Sequence, residues 1–396
     1  RELKLRAASL SVYRGLLSER GVRALTELLD ASDAETFSQA AAEYFGILCE
    51  RSPRALASEY FLGLIMRDAN VFSAAAHKGA RLADAVTLAA ERDLNTLAAL
   101  AKLVPADFAG YGGAEAGLPV WSTGEASFGI EAISALYKKD GFGDLYGSAA
   151  FLWDSDGKKF RAPDAVSRTR LSDLKEFAEE KRLVARNTEA FIAGYPAQNV
   201  LLYGDRGTGK SSTVHAILNE YKDGGLRLLE LNKNHIPDFP RILKIIADSS
   251  FKFIIFIDDL SFNDINESFN ALKAALEGSV YDIRNALIYA TTNRRHIVRE
   301  SFSDRDGDVH ASDVMQEQLA LSDRFGLTVT YMTPDKAEFL RILQGILADR
   351  GITAPGDLPG VAERFALAKG GRSPRFARQL ADIVESAQKM RIGIDY

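Results

Sequence analysis

The sequence predicts an α/β protein whose parallel sheet is covered by helices on both faces, with a mainly helical N-terminal domain before it and a small helical domain after it. Three observations predict this. From Leu171 onward, apolar strand-sized runs alternate with helical segments, as in a sheet buried on both faces. One of those runs, NVLLYG, ends on a glycine-rich loop that opens a helix, the order of a phosphate-binding unit. From about Leu3 to Val104 the chain is Ala-rich, with apolar residues at three- and four-residue steps, which is helical spacing.

Taken in order, the first stretch reads as successive helices. In LTELLDASDAETFSQAAAEYFGILCE, Asp and Ser mark the starts. It carries no catalytic spacing, so residues 1–109 read as a helical bundle or docking module. Residues 110–165 change character. Gly112, Gly113, Gly117, Gly124, Gly141, Gly143 and Gly147 punctuate aromatic-bearing segments, and FLWDSDGKKFRAP reads as a hairpin turning at Asp156-Gly157. This is expected to be a connector with a small sheet.

Residues 166–333 form the expected α/β domain. A helix is expected from Leu171 to Gly194, a strand at Asn199–Gly204, a helix from Ser211 to Tyr221, and a strand at Leu226–Leu231. A helix around Pro240–Ala247 and a strand ending at Asp258 follow. Then come a helix in SFNALKAALEG, a strand ending at Asn293, and a last strand from Leu327. In such sheets ligands bind at the carboxyl ends of the strands. Residues 334–396 read as a helical lid. Its first helix is expected to start on Thr333 as N-cap with Pro334 in the first turn, and to stop at Gly351.

Bulk properties limit the function. A chain of 396 residues suggests two or three domains. A net charge of -5, with a pI near 5.7, argues against a surface that grips nucleic acid or anionic lipid throughout. Cys49 is the only cysteine, so no internal disulfide or cysteine-based zinc site can form. Runs such as Phe253–Ile257 are strand-sized, far below the roughly 20 residues that span a bilayer. The sequence opens on Arg1 rather than Met, which leaves a targeting segment open; cytoplasm is the expected compartment.

GDRGTGKS at Gly204–Ser211 matches G-x-x-x-x-G-K-[ST] at every fixed position. Its glycines allow successive N–H groups to turn inward around phosphates, and the helix N-terminus adds partial positive charge. Gly204, Asp205, Arg206, Gly207, Thr208, Gly209, Lys210, Ser211 and Ser212 are therefore the expected nucleotide-binding residues. Lys210 is expected to reach the β- and γ-phosphates and Ser211 to give its hydroxyl oxygen to Mg²⁺. Asp258, at the end of the buried run FIIFI, stands where such a site needs an acid for the metal. ATP is the expected nucleotide. The nearest string to a guanine-reading N-K-x-D is NKNH at Asn232–His235, which lacks the Asp.

The segments NVLLYGDRGTGKSS, IIFIDDLSF, ALKAALEGS, YATTNRRH and LSDRFGLTV resemble the AAA+ ATPases. More narrowly, they resemble an uncharacterised family of bacterial stand-alone AAA+ proteins, catalogued only as a domain of unknown function. The resemblance is close over about Leu171–Tyr331, weaker through the lid and faint before it. It implies that Asn293 is the sensor for the γ-phosphate or attacking water; otherwise it caps a loop. It implies that Arg324 is an arginine finger reaching a neighbouring subunit's γ-phosphate; otherwise it pairs with Asp323. It also implies that Arg375 is the lid arginine, with Arg372 and Arg378 as rivals one turn away and a solvated basic face as the alternative. One position departs from the general AAA+ pattern, although the narrower family shares it. Where AAA+ proteins usually carry Glu after the metal-holding Asp, this chain has Asp259, whose carboxylate sits roughly 1.5 Å further back. Asp259 thus takes the water-orienting role with a rate in doubt, because errors near 1 Å can cost about 100-fold.

The leading reading is an oligomeric Mg²⁺-dependent ATPase with a shared active site, which remodels or loads a macromolecular partner recognised by the N-terminal domain. A slow nucleotide-dependent switch, motivated by Asp259, and a DNA-associated loader, motivated by the AAA+ resemblance and the arginines near Arg375, are the alternatives. The partner is expected to be a protein, less readily DNA, and not a membrane. The basic cluster Arg294, Arg295, His296 and Arg299 could contact phosphate, a neighbouring subunit or nucleic acid, or be solvated loop charge. A small-molecule kinase is the reading outside AAA+, since kinases also carry such loops without Asn293, Arg324 and a lid in this order.

Overall fold

A computed structural model describes residues 2–111, 119–260, 272, 284–293 and 324–393. It divides into two compact units, Arg1–Ser148 with Asp248–Ser250, and Ala149–Ala247 with Phe251–Tyr396.

The first unit is helical: α1 (Glu2–Ala8), α2 (Arg20–Asp30), α3 (Ala34–Arg51), α4 (Ala57–Arg67), α5 (Val71–Lys78), α6 (Asp84–Ala101) and α7 (Ile130–Asp140). Side-chain caps set several starts. Asp33 accepts the N–H of Thr36 at α3, and Asn70 with Ser73 forms a reciprocal capping box at α5. The core is aromatic and aliphatic, around Tyr13, Phe37, Tyr44, Phe61 and Tyr137. Its buried polar groups are largely paired. Tyr137 donates to the carbonyl of Ile65, Tyr13 and Tyr137 share a 2.9 Å hydroxyl contact, and buried Asp93 accepts the N–H groups of Ser11, Val12 and Tyr13.

The second unit holds β1 (Ala150–Asp154), β2 (Lys159–Arg161), α8 (Ala178–Ile192), β3 (Val200–Gly204), α9 (Lys210–Tyr221), β4 (Leu226–Glu230), α10 (Phe239–Ala247), β5 (Lys252–Ile257), β6 (Ala286–Asn293) and β7 (Leu327–Tyr331). The helices α11 (Lys336–Asp349), α12 (Leu358–Ala368) and α13 (Pro374–Met390) form the lid, packed on its own core around Phe339, Leu343, Phe365 and Leu380. The described strands make one sheet in the order β2-β1-β4-β5-β6-β3-β7. All pairings are parallel except β1 with β2. Phe253 through Ile257 are fully buried, as a strand covered on both faces requires. This is the expected α/β architecture with a mainly parallel sheet, in which β3 lies between β6 and the edge strand β7.

Several local expectations are corrected. The hairpin over 150–161 exists, but β1 pairs with β4 (Phe151 opposite Leu229), so it extends the main sheet instead of forming a separate small one. Ile130–Asp140, read as connector, is a helix whose Ile133 and Tyr137 fill the first unit's core. The helix expected from Leu171 begins only at Ala178, because Glu176 and Phe177 both take left-handed backbone (φ 60 and 55). Lys181 braces that turn through the carbonyls of Leu171 and Leu174, and burial lowers its pKa. At α11 the N-cap is Asp335, in a capping box with Glu338, while Thr333 bonds elsewhere. The helix expected in SFNALKAALEG, apart from Leu272, and the cluster Arg294, Arg295, His296 and Arg299 lie outside the described residues.

Candidate phosphate-binding site

The loop Gly204–Ser211 joins the carboxyl end of β3 to the amino end of α9. Gly204 has φ 141, and a Cβ built there would lie 1.9 Å from the carbonyl oxygen of Tyr331. No side chain fits, because β3 and β7 pair in register, Gly204 opposite Tyr331, up to the point where the loop departs. Asp205 then donates its N–H to the same carbonyl at 3.0 Å. Its carboxylate turns away from the cleft and accepts both the N–H and the hydroxyl of Thr333, at 3.0 and 2.7 Å. The loop is thereby fastened to the segment that leads into the lid.

Lys210 is 6% exposed, and its ammonium donates to the carbonyls of Gly204 and Asp205 and to Asn293 Oδ1, at 2.9, 2.7 and 3.2 Å. Burial lowers its pKa to about 8, against the opposing pull of Asp205, Asp258 and Asp259. The hydroxyl of Ser211 donates to Asp258 Oδ1 at 2.7 Å. Asn293 uses both ends of its amide: the oxygen accepts from Lys210, and the nitrogen donates to Asp259 Oδ1. Lys210, Asn293 and Asp259 are therefore one hydrogen-bonded chain, assembled from α9, β6 and the end of β5.

These groups line a cleft of about 670 Å³. The expected residues Arg206, Gly207, Gly209, Lys210, Ser211, Ser212, Asp258, Asp259, Asn293 and Arg375 all face it. Gly204, Asp205 and Thr208 do not line it. Gly204 is packed on β7, Asp205 is committed to Thr333, and the Thr208 hydroxyl bonds back to the carbonyl of Asp205. The lid supplies Pro374, Arg375, Arg378, Gln379 and Asp382. It also touches the loop directly, through a 3.2 Å bond from the Arg375 N–H to the Gly207 carbonyl. Of the three lid arginines, Arg372 is paired with Glu363 inside the lid, whereas Arg375 and Arg378 both line the cleft.

Beside the loop is a second, narrow opening of about 30 Å³, lined by Leu174, Phe177, Thr208, Gly209, Tyr331, Ile342, Ile346 and Pro374 among others. Phe177 packs on the Tyr331 ring at 5.2 Å. The bridges Lys175–Asp349 and Arg341–Glu176 hold the segment before α8 to α11.

Arg324 is placed apart. Leu327, three residues on, pairs with Val200 at the start of β3, while the loop leaves from Gly204 at its end. Four residue steps of strand separate the two levels by roughly 13 Å. Arg324 does not line its own chain's cleft.

Thr291 was not singled out by the sequence reading, yet it faces the cleft beside Asp258 and Asp259. The period of two on β6 could have found it. Tyr289, Thr291 and Asn293 share one face, and a polar residue two before Asn293 on a buried strand is a signal.

Residues 147–388 match the family described as "Protein of unknown function (DUF815)". The chain belongs to this family. Among curated proteins, this DUF815 member is 32% identical over 114 residues to AAA-ATPase At5g57480 of Arabidopsis thaliana, covering 28% of the chain and 20% of that protein. It is 36% identical over 102 residues to AAA-ATPase At4g25835 of the same plant, covering 25% and 18%. The chain thus spans about a fifth of the length of these relatives. Among solved structures, the Thermotoga maritima RuvB Holliday junction branch migration motor aligns at 17% identity with a TM-score of 0.39, over 56% of this chain and 66% of that one. No helix among the described residues is long and apolar enough to cross a membrane.

The depressed pKa of Lys210 gives a testable linkage. A phosphate beside Lys210 would favour the charged ammonium, so binding to the free protein is expected to be strongest below pH 8 and to weaken as the pH rises through about 8. Titration of a fluorescent ATP analogue between pH 7 and 9.5 should show affinity falling toward roughly tenfold per pH unit at the upper end.

Proposed function

We propose that this protein is a Mg²⁺-dependent ATPase that acts as an oligomer with shared active sites and couples hydrolysis to remodelling or loading a macromolecular partner. The observation that carries the reading is the hydrogen-bonded chain Lys210–Asn293–Asp259, set beside the Ser211–Asp258 contact in a cleft that the lid arginines also line. Similarity to proteins named AAA-ATPase supports it.

The residues fit the cofactors. Ser211 Oγ and Asp258 Oδ1 are hard oxygen donors 2.7 Å apart, a spacing suited to neighbouring positions around a small octahedral cation. Mg²⁺ at such a site would be held largely by phosphate oxygens and water. Bound there, Mg²⁺ would neutralise phosphate charge. Lys210 and the loop N–H groups orient the phosphates, Asn293 and Asp259 orient water, and Arg375 or Arg378 reports the nucleotide to the lid. The apolar opening between Leu174, Phe177, Tyr331 and Ile342 is the place for the adenine base once α11 moves aside. Arg324 serves a neighbouring subunit's site.

The partner is expected to be a protein. With Arg375 and Arg378 on the cleft and Arg372 paired to Glu363, the arginines that motivated a DNA loader no longer favour one. Asp259 supports a second reading, a slow switch that assembles on ATP without rapid turnover.

Phosphate release, measured with native mass in the presence and absence of Mg²⁺-ATP, separates these. ATP is expected to raise the assembled mass and to be hydrolysed. Assembly without phosphate release would select the switch. A monomer that releases no phosphate would overturn the proposal.

A further inference from the structure

Thr291 makes three hydrogen bonds to three consecutive residues. Its hydroxyl donates to Asp258 Oδ1 at 2.5 Å and accepts the N–H of Asp259 at 2.9 Å, and its carbonyl accepts the N–H of Leu260 at 2.7 Å. Thr291 itself is 2% exposed, so its hydroxyl is committed to these protein partners. The register explains the placement. Ile257 pairs with Ala290 at the end of β5, so Thr291 stands at the next level, where the two acids begin.

Asp259 has left-handed backbone, φ 52. For a residue with a Cβ this conformation persists only where its surroundings over-determine it, and Asp is among the side chains that tolerate it. The turn takes Asp259 out of the strand direction, and its carboxylate meets Asn293, itself bonded to Lys210. The short acid therefore arrives at the phosphate end of the cleft, although its side chain lacks the methylene of glutamate.

We propose that Thr291 is the positioning residue of this site. By bonding the Asp259 N–H and Asp258 together it fixes the left-handed turn, and the turn makes up for the shorter reach of Asp259. The inference rests on the hydrolase reading and deepens it. Asp259 is then a carboxylate matched to its backbone, and lengthening it does not help. Asp258 keeps Ser211 as a partner without Thr291, so nucleotide binding depends on Thr291 less than turnover does.

The test uses the full chain, with single-turnover phosphate release from Mg²⁺-ATP and binding of a fluorescent ATP analogue with Mg²⁺. Thr291→Val keeps the shape and removes the hydrogen bonds of the hydroxyl. It is expected to lower the hydrolysis rate about 10- to 100-fold, with affinity changed less than about threefold. Thr291→Ser, which restores the hydroxyl, is expected to stay within about threefold of the parent on both measures. A purely structural role would shift the melting temperature without this split between rate and affinity. Asp259→Glu leaves Thr291 intact and gives an independent reading should Thr291→Val fail to fold; it is expected to lower the rate. Thr291→Val hydrolysing at the parental rate, or Asp259→Glu exceeding the parent, would overturn the inference while the hydrolase reading stands. A parental chain inert toward Mg²⁺-ATP would remove the hydrolase reading and this role with it.

Discussion

Lys210→Ala is expected to abolish measurable hydrolysis and to weaken nucleotide binding by about 10- to 100-fold, with the fold retained. The ammonium is the one cation buried at the centre of the loop, and it already points at the carbonyls of Gly204 and Asp205 and at Asn293. A charge-assisted hydrogen bond to a phosphate contributes about 1.5–3 kcal/mol to binding, which sets the range for affinity. The loss in rate is larger, because charge on the transferring phosphoryl group is met by fixed donors whose removal costs about 10²–10³ each. The fold should tolerate the change. Burial depresses the Lys210 pKa, so holding the charge there opposes folding below pH 8, and stability contributed by the site rises between pH 8 and the ordinary lysine range. Removing the ammonium removes that penalty. Thermal melts without nucleotide should therefore be unchanged or slightly raised, while the stabilisation normally given by ATP disappears. A variant that binds ATP like the parent would place the phosphates elsewhere.

Much of this site could be read in the sequence, because its determinants are local. The loop pattern fixes backbone N–H groups within eight consecutive residues, and strands β3, β5 and β6 announce themselves as apolar runs ending in Gly204, Asp258 and Asn293. What could not be read depends on contacts between distant segments. Thr291 matters only because the β5–β6 register sets it level with Asp258. Asp205 matches a variable position of the motif, and only the pairing of β3 with β7 brings Thr333 to it. The break at Glu176 and Phe177 has no glycine or proline to signal it; the turn is held by Lys181 and by bridges to α11. The helix Ile130–Asp140 lies among glycines that mask it, and its Ile133–Tyr137 spacing is the one local signal of a buried helical face. Among the lid arginines, Arg375 had Arg372 and Arg378 as rivals one turn away, and only the ion pair with Glu363 separates Arg372 from the other two.

Arg324→Ala is expected to lower hydrolysis by at least about 100-fold while leaving nucleotide affinity nearly unchanged, and its defect should be repairable by a partner that cannot itself bind ATP. The reason is positional. Arg324 precedes the level where β7 meets the start of β3, at the opposite end of these strands from the loop, and it does not line its own chain's cleft. In the proposed shared-site assembly, a head-to-tail contact would present that end of one chain to the carboxyl ends of the next chain's strands. Mixing Arg324→Ala with Lys210→Ala in equal amounts then creates interfaces in which an intact loop meets an intact arginine. Half of the subunits carry the intact loop, and half of those face a neighbour bearing Arg324. If sites act independently, activity should recover to roughly a quarter of the parental value per subunit, although each variant alone is nearly inactive. Steady-state phosphate release across a series of mixing ratios measures this, and the parabolic dependence on ratio, peaking at equal amounts, is the signature of a shared site. If Arg324 acted within its own chain, every mixture would stay at the weighted average of two inactive proteins. A flat line across the ratios would thus remove the shared site while leaving the loop chemistry of Lys210 untouched.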